Sequence, residues 1–188
     1  MQKLFFAVSL LAVLSGTYCF AASVIPLPGE PLYKSLVEGV TVDGRFMQLI
    51  ERKWLFRKET SLLGDKHSAL LFTEAATREG TMTLNCPYGM YNIAISFAKR
   101  IDADQLDVEV KFDDLPIEKQ SVRVGHDKKT FAFHKSQEFI QKMLNKNRLA
   151  IRISPPGEAD IERLFIISGL EIAIEPLAKE CGWDLSNK

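Results

Sequence analysis

Ser96-Phe97-Ala98-Lys99 fits the Ser-x-x-Lys pattern that sets a lysine beside a serine nucleophile in some acyl-enzymes. That chemistry wants the serine at the start of a helix. Here Ser96 lies at the end of an alternating run, Tyr91, Ile93, Ile95 and Phe97, and no Ser-Asp-Asn or Lys-Thr-Gly companion accompanies it. His67, His126 and His134 stand on or beside turn signals, without the His-x-x-x-His or His-Glu-x-x-His spacing that holds zinc. Asp102, Asp104, Asp107, Asp113 and Asp114 offer carboxylates for calcium or for an acid–base pair. Their spacing matches no oxygen-rich loop closed by a bidentate glutamate. There is no Gly-x-Ser-x-Gly elbow and no glycine-rich phosphate loop. These residues predict no catalytic, metal or cofactor site, and a protein that is not an enzyme.

Two further groups bear on binding and on scaffold. Arg148 and Arg152 fall on the same face of an alternating segment, and such a row can hold an anion such as a peptide carboxylate. The alternative is a solvated outer face on which Glu162 of the next strand balances the charge. Cys86 and Cys181 remain once Cys19 leaves with a leader segment, and in an oxidising compartment two cysteines allow one intramolecular pairing. That bridge closes a loop of 95 residues (181 minus 86). Loop-closure entropy assigns such a cross-link roughly 4 to 5 kcal/mol, an upper figure that strain and residual structure reduce.

The elements that must position these groups follow from periodicity. Residues 22–52 read as a proline-bearing extended lead-in followed by a hairpin, Val40–Val42 and Phe46–Ile50 around Asp43-Gly44, with a short helix over 31–39. Residues 53–188 read as a single, mostly β domain. Strands are predicted over Trp54–Glu59, Ala69–Ala75, Thr81–Cys86, Tyr91–Phe97 and Leu106–Phe112, with shorter ones at Val122–Val124 and Phe131–Phe133. Met82, Leu84 and Cys86 share a face, so Cys86 points inward. Ser136 is the expected N-cap of a helix to about Asn145 whose inner stripe is Phe139, Ile140, Met143 and Leu144.

The last stretch organises the rest. Leu149, Ile151 and Ile153 alternate with polar residues, Pro155-Pro156-Gly157 turns the chain, and Leu164–Ile167 reads as a strand buried on both faces. A helix carrying Leu170, Ala173, Ile174 and Leu177 then crosses the sheet, with a kink or restart at Pro176, and Trp183 covers the bridge. The predicted class is mainly β (α+β), an antiparallel sandwich-like or curved sheet with one or two short helices and one disulfide.

Address and charge narrow the partners. Lys3, the apolar run Leu4–Leu14 and the Cys19-Phe20-Ala21 site predict a signal peptide over residues 1–21, so the protein is expected in the periplasm. Eleven apolar-rich residues are too few to span a bilayer, and no transmembrane span is expected in the mature chain. Lysines plus arginines equal aspartates plus glutamates at 24 each, and losing Lys3 leaves −1, so nothing favours nucleic acid.

The arrangement Trp54, Glu59-Thr60-Ser61, Thr83–Cys86, Leu106–Asp114, then Leu149–Pro155 and Gly169–Trp183 resembles the VasI/TagO-like proteins. The resemblance spans about Trp54 to Trp183 and is most specific in the ending Gly-Leu-x-x-Ala-Ile-x-Pro-Leu-x-x-x-Cys-x-Trp. No cysteine-bearing Arg-Leu-x-Cys-type segment precedes Trp54. The resemblance implies an exported, non-enzymatic accessory protein associated with type VI secretion, with an envelope protein or a peptidoglycan-associated partner. A stand-alone envelope binding module, such as an inhibitor of a cell-wall hydrolase, is the alternative. Such an inhibitor needs a protruding loop, for which Ser61–His67 and Ile153–Ile161 are the candidates. Partner binding is expected at Arg148 and Arg152 or on the loop bounded by Ser61 and His67. Because Ser96 lies in a strand pattern, a fluorophosphonate or β-lactam probe should leave it unlabelled. Mass-spectrometric detection of an adduct on Ser96 would overturn the non-enzymatic reading.

Overall fold

The computed structural model describes residues 28, 31–42, 45–51, 53–60, 67–77 and 79–185. The expected signal peptide, and the lead-in before Pro31 apart from Pro28, lie outside the described residues. Among these the strands are β1 (Val40–Val42), β2 (Arg45–Ile50), β3 (Trp54–Thr60), β4 (His67–Glu74), β5 (Gly80–Asn85) and β6 (Asn92–Phe97). They continue with β7 (Gln105–Phe112), β8 (Glu118–Val124), β9 (Thr130–Phe133), β10 (Arg148–Ile153) and β11 (Ile161–Ile166). The helices are α1 (Pro31–Glu38), α2 (Ser136–Met143), α3 (Leu170–Ala173) and α4 (Glu175–Cys181).

All eleven strands belong to one antiparallel sheet in the order β1-β2-β3-β4-β5-β6-β9-β8-β7-β10-β11. Six strands separate β4 from β11 in that order, yet Ala75, just past β4, forms a bridge with Phe165 of β11. The Ala76 N–H also donates to the Leu164 carbonyl at 2.7 Å. The sheet therefore curls until its far edge returns to the end of β4, in keeping with the right-handed twist that accumulates over many strands. This is the mainly β, curved antiparallel architecture predicted above.

Period-2 patterning supplies the inner face. β5 and β6 bury alternate residues, so Met82, Leu84, Ile93, Ile95 and Phe97 share the inner face. β7 and β10 contribute Val108, Val110, Leu149, Ile151 and Ile153 to the same core. α2 enters this core with Phe139, Ile140 and Met143, and Phe139 stacks on Phe133 with ring centroids 4.0 Å apart. Leu170, Ala173, Ile174 and Leu177 of the C-terminal helices are fully buried in it. The helical pattern does break before Pro176: α3 ends at Ala173, and α4 begins at Glu175 with the proline in its first turn, where no N–H is required.

Gly169 opens α3 with φ +78, and a Cβ there would lie 2.7 Å from Glu51 Cγ, so only glycine fits that approach. The corner is tied down by Lys53 Nζ, which donates to Ser168 Oγ at 2.7 Å, and by Lys58, which pairs with Glu180 of α4 at 2.8 Å.

Three sequence readings change. Residues 31–51 are not separate from the domain, because β2 pairs with β3 from Arg45↔Glu59 to Ile50↔Trp54, putting the expected boundary at 52/53 inside a hairpin. α1 lies against the outer face of that region, where Leu36, Met47, Leu49, Leu55 and Phe72 make a small second core. Ser136 is the first helical residue rather than the cap. Its buried hydroxyl donates to the Phe133 carbonyl and accepts the Ile93 N–H, pinning α2 to β6. Leu164–Ile167 is not buried on both faces: Phe165 and Ile167 are inward, whereas Leu164 and Ile166 face solvent on an edge strand.

Cys86 and Cys181 form the disulfide, with Cα atoms 5.8 Å apart. Cys181→Ser is expected to cost about 2 to 5 kcal/mol, and Ile174→Ala about 2 to 5 kcal/mol through the cavity it leaves. Urea unfolding of each variant against the parent measures both, and a loss under 1 kcal/mol for Ile174→Ala, roughly the size of a surface effect, would contradict the helix burial described here.

Candidate interaction surface

The solvent face of β7, β10 and β11 carries the arginine pair. Register sets Arg152 opposite Glu109 of β7 and Glu162 of β11, so all three side chains stand in one row across three strands. Arg152 Nε donates to Glu162 at 2.7 Å and Nη1 to Glu109 at 2.9 Å. These bonds, Glu162's first, hold the guanidinium above its ordinary value. A carboxylate ligand arriving here would meet two carboxylates already in place. Arg148 pairs with Asp114 at 3.4 Å. The geometry makes this row a cross-strand ion-pair ladder.

The next row along the same face is different. Ala150 stands between Lys111 of β7 and Leu164 of β11. A small residue between two large ones leaves a hollow, and a depression of about 390 Å³ opens there, extending from Ile117 to Thr77. Leu164 and Ile166 are each 38% exposed and Ile117 is 55% exposed. The result is an apolar floor bordered by Lys111 and the Glu109–Arg152–Glu162 row. Arg152, named from the sequence, thus forms part of its border, and Leu164, read from the sequence as buried, forms part of its floor.

β11 offers little of its edge for strand addition. Leu164's outward carbonyl is taken by Ala76 N–H, and Arg163 Nη1 donates to the Glu162 carbonyl at 2.7 Å. Arg163 itself is held by Glu79 at 2.9 Å and sits over the Phe97 ring at 5.7 Å. Such covering of an edge limits unwanted pairing.

The remaining candidate residues are dispersed. Ser96 Oγ lies 2.9 Å from Thr130 Oγ1, whereas Lys99 pairs with Glu158, so serine and lysine are turned to different partners. His126 and His134 are exposed on separate turns. Ser61 and the loop as far as Lys66 lie outside the described residues; His67 opens β4 opposite Thr60. Asp104 is held below its ordinary value by hydrogen bonding and attraction from Lys128. Asp107 accepts from Ser121, and Asp113 accepts the Asn147 and Arg148 N–H groups, so these carboxylates secure turns and strand ends. Among the described residues no group of three or more metal-ligating side chains converges, and no helix is long and apolar enough to cross a membrane. The Ile153–Ile161 connection is folded back on itself, with Glu158 N–H bonding to Pro155 and its carboxylate held by Lys99.

No protein-family model matches the chain, and no curated protein matches it. Among solved structures it is similar to the crystal structure of invasion associated protein B from Bartonella henselae, at 11% identity and a TM-score of 0.49. The match covers 71% of this chain and 98% of that one.

Removing Arg152 leaves Glu109 and Glu162 facing one another without a counter-charge. Arg152→Ala should therefore melt slightly below the parent in low salt and with it in molar salt, where exposed charges are screened. Thermal melts at the two ionic strengths check this. A large loss that persists in salt would mean that the arginine contributes packing rather than charge.

Proposed function

We propose that this chain is an exported, non-enzymatic interaction protein of the cell envelope, acting in the periplasm as an accessory of type VI secretion. Its partner docks on the solvent face of β7, β10 and β11. The observation that carries the reading is the hollow over Ala150, where Leu164 and Ile117 remain exposed inside a charged border. A core-quality residue left on an otherwise polar sheet face contributes little to folding and gains burial when a partner covers it. The polar border limits which partners fit, and the flanking ladder fixes the position of the face.

The signal-peptide pattern and the single disulfide support an oxidising, extracytoplasmic setting. The resemblance of the Trp54–Trp183 region to type VI accessory proteins supports the choice of machine. Peptidoglycan or an envelope protein beside it is the partner in this reading.

Deleting the gene should lower release of the secretion tube protein into the medium, and expression of the parent should restore it. Leu164→Asp should melt like the parent yet fail to restore release. Normal secretion by the deletion strain would remove the type VI role. Full rescue by a Leu164→Asp, Ile117→Asp double variant would remove the sheet face as the docking site.

A further inference from the structure

The turn between β5 and β6 has properties that neither the core nor the sheet face explains. Cys86-Pro87-Tyr88-Gly89-Met90 makes a short 3-10 turn at which Tyr88 is 98% exposed and Met90 61% exposed. Tyr88 has φ 55 and ψ 33, a left-handed conformation that glycine adopts freely and a bulky aromatic adopts rarely. At that exposure its ring packs against nothing else in the described chain. Tyr91, three residues later, is the contrast. Its ring stacks on Trp183 at 4.3 Å, its hydroxyl donates to the Asp184 carbonyl, and burial raises its pKa.

The base of the turn is held from several directions. Cys86 is bonded to Cys181, and Trp183 Nε1 donates to the Gly89 carbonyl at 3.3 Å. Gly89 N–H reaches Cys86 and Met90 N–H reaches Pro87, both at 3.1 Å, while Asn92 Nδ2 donates to Asn85 Oδ1 across the hairpin at 2.6 Å. A covalently anchored turn has its backbone ordered before any partner arrives, leaving only the Tyr88 side chain to be fixed, and tyrosine is among the residues that dominate interface energetics.

We infer that the Pro87–Met90 tip is a docking element that inserts Tyr88 into a concave, apolar cleft on a folded partner protein. The shape argues for a cleft, since the tip is convex and presents two apolar side chains at its apex. The charge argues for protein over membrane. Residues 85–92 carry no lysine or arginine to hold a lipid headgroup, and two side chains are too few to anchor on apolar area alone. The tip is distinct from the hollow over Ala150. β5 runs between Thr77 and the turn, and its six residues span about 20 Å.

The test uses the full chain in its native host, with a benzophenone amino acid at position 88 and, as control, at exposed Gln137. Irradiation should give one discrete adduct with another protein from position 88 and none from 137, unchanged by Leu164→Asp and lost with Met90→Asp. With that protein purified, Tyr88→Gly should bind roughly tenfold weaker or worse, while melting at or above the parent because glycine suits the backbone there. Co-sedimentation of the parent, but not Tyr88→Gly, with phosphatidylcholine or phosphatidylglycerol vesicles would assign the tip to a bilayer and overturn the proposal. So would an adduct of twice the chain's own mass, equal adducts from both positions, or unchanged affinity in Tyr88→Gly. Loss of the adduct with Leu164→Asp would place the contact on the sheet face instead.

Discussion

A single sheet can enclose a single core only if it curls until its inner face meets itself, and that requirement governs this molecule. The return of β11 to Ala75 and Ala76 is where it is met. Without that contact the inner faces of β5, β6, β7 and β10 would be one wall of a core with no opposite wall. The helices complete it. α2 brings Phe139 against Phe133, and α3 with α4 brings Leu170, Ile174 and Leu177 under β3 and β4. Each helix is too short to be stable alone, so its order derives from the surface it closes.

Much of this was readable from period-2 alternation, because a buried inner face and a wet outer face leave that signature in each strand. Cys86 followed from the same rule, since it continues the Met82–Leu84 register. The Pro176 restart was readable because proline's missing N–H has few tolerable places in a helix. The curl itself was not readable. Nothing in the residues of β4 announces that β11, ninety positions later, will lie beside Ala75. The pairing of β6 with β9 rather than β7 was equally hidden, because all three strands carry similar alternation.

The outer face of β11 was misread for a physical reason. A run such as Leu164-Phe165-Ile166-Ile167 has no alternation, and a strand buried on both faces has none either. What separates the two is whether anything covers the outer face, a tertiary fact. Arg152 showed the converse: its chemistry was plain from sequence, and the two carboxylates that occupy it were set by register with β7 as well as β11. Tyr88 gave no sequence signal, because its interest lies in its backbone conformation and exposure.

The 95-residue separation between Cys86 and Cys181 orders events in time. Six of the eleven described strands, β6 to β11, lie inside the loop that the bridge closes between β5 and the C-terminal helices. A chain emerging from its N-terminus can zip β1 to β6 as a meander, but β6 must then wait for β9, and β7 for β10. Only when Cys181 has arrived can the thiols meet. The bridge therefore joins the end of β5 to a helix made only after all eleven described strands are in the chain.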